Sequence, residues 1–474
     1  MQNKTAAMGQ QWEDIQMDYQ IEALGYPLPE DIEKLKWHGD YGEAIALIHT
    51  RLQEDIPETL KKKLRMEEMQ MGKILRDYVI SQQEAEEILK DRLMDYQPGE
   101  LDQLRKENVV DWMFVEGEIR YIDSFYSNLI KIRGDIAARQ KHPKVLAPGE
   151  KDDGQIRDEI IEKMKRSGTV KCRMKLRATV TLGEELAAQS GEFHIHVPLP
   201  LEKFQMSDVN LISYNPAYSS VAPPDAHQRT VYFSGTAQEV RQCQIEYSLV
   251  NTMHYHNPDP TQVSPQQPDF DTGEQLPHIV FTPYLRALTR EIVGDETNPL
   301  KKARKIYDFI TTKVVYSYMR SYVSLPAIPE YCASRLRGDC GVQALTFITM
   351  CRIAGIPARW QSGLYADWRS ADCHDWAMFY VAPFGWMHCD CSFGGSAWRQ
   401  KAYDRWNFYF CNLDPYRVCL TDEFQADFQP AMSYLRSDPY DNQRGEVERA
   451  DGPVDRSLWD GSTETLECVV LEEN

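Results

Sequence analysis

The 474-residue sequence lacks several features that would place it in common functional classes. No apolar run approaches the roughly 18 residues of a membrane helix, so no membrane span is expected. No long Lys/Arg run offsets a formal net charge of −19, which argues against nucleic acid and anionic membranes as main partners. Residues 1–20 have neither the basic start nor the apolar stretch of a secretory signal, so we expect a cytoplasmic protein.

Sequence patterns for bound cofactors are missing as well. There is no Walker A, G-x-G-x-x-G or G-x-S-x-G pattern, and no cofactor is predicted. The eleven cysteines are an odd number in a long chain without a signal sequence, which predicts reduced thiols rather than a disulfide framework. Eight of them fall between Cys332 and Cys419, and six of the ten tryptophans fall between Trp360 and Trp406. This stretch is therefore where we look for chemistry.

Hydrophobic periodicity divides the chain into four parts. Residues 1–150 are rich in Glu, Lys, Leu and Met with apolar side chains at three- and four-residue steps, which predicts a helical region that could also support a homo-oligomer. The clearest such segments are Tyr41–Asp55, Met69–Leu93 and Val109–Arg139. A linker, His142–Gly154, follows.

Residues 165–260 change to a period of two. The stretch Val170–Val180 alternates apolar and polar residues, which predicts a half-buried strand and, with its neighbours, an antiparallel β-sandwich. Further strands are predicted at Phe193–Val197, Val209–Ser213, Thr230–Ser234 and Gln244–Val250. Residues 275–430 return to helices followed by strands, an α+β core, and residues 431–474 form a C-terminal extension.

Cys340 is the first candidate for chemistry. Asp339 is a competent N-cap, and apolar positions recur until Gly355 and Pro357 end the helix. Cys340 therefore lies in the first helical turn, where unpaired N–H groups and the helix dipole favour a thiolate and can bind an oxyanion. The other interpretation, a small buried residue, stays open.

A β-hairpin downstream offers a base and a carboxylate. If Tyr380 faces Trp386 across the turn, Asp390 faces Trp376, and His374 is its diagonal neighbour on the same sheet face. Asp375 adjoins His374 but points the other way in a strand, so Asp390 is the favoured orienting carboxylate. His388 shares the Asp390 face and is either an alternative base or a wall of the site.

The ordered set of motifs resembles the transglutaminase-like core superfamily, cysteine enzymes of papain-like fold, and its bacterial members in particular. The motifs are Gly338-Asp339-Cys340, Gly355-Ile356-Pro357-Ala358-Arg359, His374-Asp375-Trp376 and Gly385-Trp386 followed by Asp390. The resemblance implies Cys340 as nucleophile, His374 as base and Asp390 as orienter of the base. It also implies a second oxyanion donor, for which the Tyr316 phenol is our candidate. Asp375 stands where those members usually have Ala.

The implied reaction is amide or isopeptide acyl chemistry through a thioester, on a peptide-like or small amide substrate. Hydrolysis is expected ahead of transfer. Three tryptophans, Trp360, Trp376 and Trp386, and His388 are candidates for a narrow substrate slot.

Two alternatives stay open beside the enzyme: an inactive core that binds proteins, and a zinc protein. Zinc could be held by the His-x-His pairs His194/His196 and His254/His256, or by a downstream cluster of Cys and His. The members of that cluster are Cys373, His374, His388, Cys389 and Cys391. Arg436–Glu448 is polar and turn-rich, and we expect a tail laid over the site or a plain surface loop.

Overall fold

The computed structural model describes residues 25–143, 149, 151–434 and 436–472. The chain divides into two compact units: residues 1–145, 275–280 and 316–331 in the first, and residues 146–274, 281–315 and 332–474 in the second. The N-terminal segment on which the cytoplasmic expectation rests lies outside the described residues, as do six residues of the predicted linker His142–Gly154. No helix in the described ranges has both the length and the apolar character to cross a membrane.

The first unit is mainly helical, as predicted. Its helices are α1 (Glu30–His38), α2 (Tyr41–Leu52), α3 (Glu58–Asp77), α4 (Gln82–Arg92), α5 (Glu100–Lys106), α6 (Phe125–Ile132) and α7 (Gly134–Ala137). A 3-10 helix follows at Tyr322–Ser324. One apolar core joins them, with fully buried side chains such as Leu64, Met71 and Leu89.

One predicted helical segment, Val109–Arg139, is wrong in its first part. It contains β2 (Trp112–Val115) and β3 (Glu118–Tyr121), which form an antiparallel sheet with β1 (Ile80–Ser81) in the order β1-β3-β2. Glu116 and Gly117 join the strands with φ of 52° and 76°. Two consecutive positive φ values make the tight turn that suits a two-residue hairpin, and this Glu-Gly turn signal was missed.

The second unit contains the predicted β-sandwich. Its first five strands are β4 (Thr169–Leu182), β5 (Glu192–Pro198), β6 (Met206–Asn215), β7 (Ser220–Val221) and β8 (Thr230–Thr236). They are followed by β9 (Gln242–His254), and helices α8 (Asp153–Ser167) and α9 (Glu184–Ala187) flank β4. All five strands predicted from the period of two are confirmed.

Strands from the C-terminal extension complete both sheets of the sandwich. They are β17 (Glu446–Arg449), β18 (Gly452–Pro453) and β19 (Trp459–Val470). One sheet has the order β19-β4-β9-β6 and the other β18-β17-β5-β8-β7. The sandwich is thus assembled from two stretches of chain that flank the core, a long-range pairing that strand periodicity does not show.

The core between these stretches is the α+β part. Its helices are α10 (Pro283–Val293), α11 (Pro299–Lys313), α12 (Ile328–Arg335), α13 (Cys340–Ile353), α14 (Cys391–Arg399) and α15 (Tyr403–Phe408). Its strands are β10 (Val315–Tyr316), β11 (Arg337–Gly338), β12 (Ala358–Ala366), β13 (Ala371–Val381), β14 (Gly385–Cys389), β15 (Phe410–Cys411) and β16 (Arg417–Thr421). Strand β10 and helix α12 each have residues in both units. Five of them form an antiparallel sheet of order β15-β14-β13-β12-β16, which confirms the α+β class.

Helix α13 is the centre of this part of the second unit. Every residue from Gly341 to Cys351 is buried, including the polar Gln343, Thr346 and Thr349, and apolar side chains occur on all sides of the helix. It packs on the sheet through residues such as Phe347, whose ring lies 5.7 Å from that of Phe379 on β13. A helix covered all round holds its N-terminal residue at a fixed height above the sheet.

Candidate active site

Cys340 opens helix α13, as the sequence predicts. The Asp339 carboxylate caps the helix by accepting a hydrogen bond from the Val342 N–H at 3.1 Å. The Gln343 amide donates to the Gly338 carbonyl at 2.8 Å and fixes the turn before the helix. Cys340 as a residue is half-buried.

The hairpin β13–β14 has the predicted register. Tyr380 pairs with Trp386 and Val381 with Gly385, so the alternation along both strands is the expected one. His374 and Asp390 consequently share a face, and His374 Nε2 lies 2.8 Å from Asp390 Oδ2. The structure therefore joins this base and carboxylate as the sequence geometry requires.

Asp390 is the most constrained acid of the site. It is fully buried, and Oδ2 also accepts a hydrogen bond from Arg417 Nη1 at 2.7 Å. Oδ1 accepts from the Ser392 hydroxyl at 3.1 Å and the Phe393 N–H at 2.9 Å, which caps α14. Burial acts to raise the pKa of Asp390, but His374 and Arg417 lower it by a larger amount. The net pKa is below its ordinary value.

The His374 imidazole is neutral in this setting. Burial lowers its pKa below the ordinary value, although Asp390 acts in the opposite direction. Because Asp390 is ionised, Nε2 carries the ring proton, and Nδ1 is the nitrogen that can accept another. The ring packs against Phe393, with centroids 4.5 Å apart.

The thiol of Cys340 contacts a different carboxylate. Its Sγ donates to Asp375 Oδ2 at 3.3 Å. Neighbouring residues of a strand point to opposite faces, and β13 pairs with β12 in an unbroken register across this region. His374 and Cys340 therefore lie on opposite faces of β13, and no hydrogen bond joins them within the described part of the chain.

We expected Cys340 to be a thiolate, but its surroundings favour the protonated thiol. The prediction of a thiolate is therefore wrong for this arrangement. Burial, followed by the Asp375 and Asp339 carboxylates, raises the pKa of the Cys340 thiol well above its ordinary value. Burial and the charge of Asp339 likewise raise the pKa of Asp375. Negative neighbours and burial outweigh the helix terminus, so the thiol keeps its proton.

Gln443 from the C-terminal extension completes the surroundings of Asp375. Its Nε2 donates to Asp375 Oδ1 at 2.7 Å and to the His374 carbonyl at 3.2 Å. The segment Arg436–Glu448 is thus laid over β13 at the thiol, which confirms the tail interpretation rather than the plain surface loop. Asp375 and Gln443 were not predicted as functional, and only the replacement of the usual Ala by Asp375 pointed to this position.

The four substrate-slot candidates divide between the two faces of the sheet. Trp360 pairs with Ala377 and so shares the face of Asp375, where it is 2% exposed. Trp376, Trp386 and His388 share the His374 face, because Trp386 pairs with Tyr380 and His388 with Met378. Burial lowers the pKa of His388 to about 3. A single slot formed by all four residues is therefore not present.

Tyr316, the candidate oxyanion donor, belongs to the first unit. Its ring lies 5.7 Å from that of Tyr318 and 4.9 Å from the Lys131 ammonium. These contacts do not test the oxyanion role, which stays a prediction.

Two of the histidines considered for zinc contact hydroxyl groups. His196 Nδ1 is 2.8 Å from the Thr230 hydroxyl, and His254 Nδ1 is 2.9 Å from that of Thr169. The sulfur atoms of Cys389 and Cys391 lie 3.9 Å apart. Among residues 25–143, 149, 151–434 and 436–472, no group of three or more His, Cys, Asp or Glu side chains is arranged to hold a metal ion.

A cavity of about 290 Å³ lies elsewhere in the second unit. Its described lining includes Lys165, His256, Arg304 and Asn412, and none of Cys340, His374 or Asp390. The cavity is thus separate from the residues that carry the proposed chemistry.

Comparison with known proteins confirms the resemblance over part of the chain. Residues 286–391 match the family model of the Transglutaminase-like superfamily (Transglut_core), a segment that includes Cys340, His374 and Asp390. No curated protein matches. The match to the family model supports a cysteine enzyme in general.

Solved structures with some likeness were also found. One is titled "Putative Cysteine Protease" from Cytophaga hutchinsonii, with 14% identity, coverage of 65% of this chain and 92% of that chain, and a TM-score of 0.40. Another is the periplasmic domain of TgpA from Pseudomonas aeruginosa, with 14% identity, coverage of 53% and 95%, and a TM-score of 0.27. At these TM-scores the likeness carries no argument about function.

Proposed function

We propose that this protein is a cysteine hydrolase or acyltransferase that acts on amide or isopeptide bonds through a thioester on Cys340. The observation that carries the proposal is the position of Cys340 at the first turn of α13, within the segment that matches the superfamily model, next to a hairpin that joins His374 to Asp390 at 2.8 Å. A helix N-terminus supplies backbone N–H groups for the oxyanion that amide attack creates.

The proposed reaction has two halves. The Cys340 sulfur attacks the amide carbon, a C–S bond forms, and the carbonyl electron pair moves to oxygen. As the oxyanion collapses, the C–N bond breaks, and the amine leaves with the proton that the base took from the thiol. Water then attacks the thioester in hydrolysis, or a second amine attacks it in transfer. We propose a peptide-like or small amide substrate and place hydrolysis ahead of transfer, because an unregulated crosslinker would be of little use to a cell.

His374 is the proposed base and Asp390 its orienter. The hydrogen bond of 2.8 Å and the Arg417 contact to the same carboxylate support an oriented, neutral imidazole. The ring lies on the β13 face opposite the thiol, so the proposal requires a rearrangement that brings Nδ1 and Sγ together. His374→Gln tests this requirement directly: turnover that survives it would remove His374 from the base role.

One observation favours a second candidate, an inactive core that binds other proteins. The thiol donates to Asp375 at 3.3 Å instead of meeting an imidazole, and a nucleophile held in its protonated form is a poor one. This candidate expects no Cys340-dependent turnover of any amide.

The test combines thiol mapping with turnover. Iodoacetamide at limiting concentration across pH, followed by mass mapping of all eleven cysteines, measures the relative reactivity of Cys340. A panel of peptide and isopeptide amides, with and without hydroxylamine as acceptor, detects acyl transfer. Cys340→Ser should abolish turnover, whereas Cys351→Ser, at a buried position of the same helix, should retain it. Turnover that is the same in both variants would refute the proposal.

A further inference from the structure

The Asp375 carboxylate lies between the Cys340 thiol and the Gln443 amide, and the superfamily resemblance assigns a role to neither Asp375 nor Gln443. Sγ is 3.3 Å from Asp375 Oδ2, and the other carboxylate oxygen of Asp375 accepts from the Gln443 amide at 2.7 Å. The three groups form a chain of hydrogen bonds: thiol to carboxylate, and amide to carboxylate. Asp375 is 5% exposed, so water competes little for these bonds.

We propose that Asp375, oriented by Gln443, holds the Cys340 thiol in its protonated form and so determines the pH at which this nucleophile becomes a thiolate. The inference rests on the proposed function, since it concerns the reactivity of the same sulfur. Asp375 contacts the reacting atom, whereas Gln443 acts through Asp375 and is a positioning residue.

Burial is the largest cause that keeps the Cys340 thiol protonated, and the nearby acids act in the same direction. The helix contributes Asp339, the strand contributes Asp375, and the C-terminal extension contributes Asp438 and Asp441 near Asp375. Arg436 acts on Asp441: its guanidinium donates to the Asp441 carbonyl, and its charge acts to lower the pKa of Asp441. A thiolate adds a negative charge beside Asp339 and Asp375, so its formation is disfavoured.

Gln443 is held in place by the fold of its own segment. The Arg436 guanidinium donates to Gln228 Oε1 at 2.8 Å, and the Asn442 amide donates to the Arg229 carbonyl at 3.2 Å. Beyond Gln443, strand β17 pairs with β5 of the sandwich. Anchors on both sides of Gln443 fix the amide that orients Asp375.

The experiment measures the alkylation rate of Cys340 by iodoacetamide between pH 6 and 10 in the full chain. In this reaction the C–S bond forms as C–I breaks, iodide leaves, and the thiol proton passes to the buffer. Asp375→Asn replaces the carboxyl group, which can ionise, by a neutral amide of the same shape. We expect the Cys340 rate at pH 7.5 to rise about tenfold or more, since a neighbouring charge shifts a titration by about one to three pH units.

Two further variants make the result specific. Gln443→Ala should also raise the alkylation rate of Cys340, but by less than Asp375→Asn does. Without its amide donor, the Asp375 carboxyl group is more often neutral. Asp372→Asn, the same change at an exposed position of β13, should leave the rate unchanged. An Asp375→Asn rate equal to or below that of the natural protein overturns the inference.

The buried Cys351 reports on the integrity of the fold in the same experiment. If Asp375→Asn also exposes Cys351 to the reagent, Gln443→Ala decides instead, and an unchanged Cys340 rate in that variant overturns the inference. Failure of the proposed function is separate: a shifted Cys340 profile without turnover of any amide refutes the enzyme but not the role of Asp375. Cys340-dependent turnover with an unshifted profile refutes only the role of Asp375.

Discussion

Arg417 offers the sharpest test of how the site is held together. Its side chain is fully buried, and it donates to Asp390 Oδ2 at 2.7 Å and to Asp414 Oδ2 at 2.9 Å. The aromatic rings of Phe393 and Tyr365 lie 4.3 and 5.2 Å from its guanidinium carbon. One cation therefore compensates two fully buried carboxylates.

Arg417→Met keeps most of the volume and removes the charge. Breaking a buried ion pair from one side costs about 3–5 kcal/mol, because the carboxylate that remains is buried without compensation. With a free energy of unfolding of roughly 5–15 kcal/mol for a folded domain, such a loss is a large part of the total. In urea unfolding monitored by tryptophan fluorescence at pH 7, we expect the midpoint of Arg417→Met to lie well below that of the natural protein.

The pH dependence of this loss has a definite sign. In the natural protein the pKa of Asp390 is below its ordinary value, so its contribution to stability is present at neutral pH and disappears as pH falls through the folded-state pKa. Without Arg417, one of the groups that lower the Asp390 pKa is gone, so the pKa rises and the acid takes up a proton at a higher pH than in the natural protein. The difference in stability between the two proteins should therefore shrink as pH falls through the Asp390 pKa of the variant.

The matched control is Arg173→Met. Arg173 pairs with Glu467 at 2.9 Å at a position where both side chains are about half exposed. Exposed pairs contribute at most about 1 kcal/mol. If Arg417→Met costs no more than Arg173→Met, or if its cost is independent of pH, the reasoning about the buried charges is refuted.

Two further predictions concern stability. Gly363→Ala should unfold or severely destabilise the protein, since an added Cβ would lie 1.9 Å from the Val418 carbonyl oxygen, whereas Gly273→Ala, with open space around it, should be tolerated in the same thermal melt. His196 is buried and its pKa is lowered to about 3, so the natural protein should lose stability as pH falls below about 6.5, by up to about 1.4 kcal/mol per pH unit for this group. In urea unfolding between pH 6.5 and 4, His196→Gln should reduce the loss of stability per pH unit, whereas His254→Gln, the same change at an exposed position, should not. An equal dependence of stability on pH in all three proteins would contradict the assignment.

The sequence predicted those parts of the site that depend on local pattern. The cap at Asp339, the helix that begins at Cys340 and the hairpin register that pairs Tyr380 with Trp386 all follow from residue types at short spacing. The approach of Asp390 to His374 follows from that register alone. Short-range rules were sufficient because each of these features is completed within one or two adjacent elements.

Other parts depended on contacts between distant segments. Which face of β13 meets α13 is decided by how the helix packs, and nothing local to Cys340 indicates that Asp375 rather than His374 faces it. Arg417 lies 27 positions after Asp390, and Gln443 lies 68 positions after Asp375, so neither has a local signal. The expectation of a thiolate at Cys340 was wrong for the same reason, because the burial of the thiol and its contact with Asp375 depend on how helix α13 packs against strand β13.

The split sandwich has a consequence for biosynthesis. A ribosome delivers β4 to β9 first, then the whole region around Cys340, and only afterwards β17 and β19. Until those late strands are synthesised, β5 lacks its neighbour β17 and β4 lacks its neighbour β19. Before Gln443 is synthesised, Asp375 also lacks the hydrogen bond from its amide. Nascent chains halted before β17 should thus present the sulfur in different surroundings from the finished molecule.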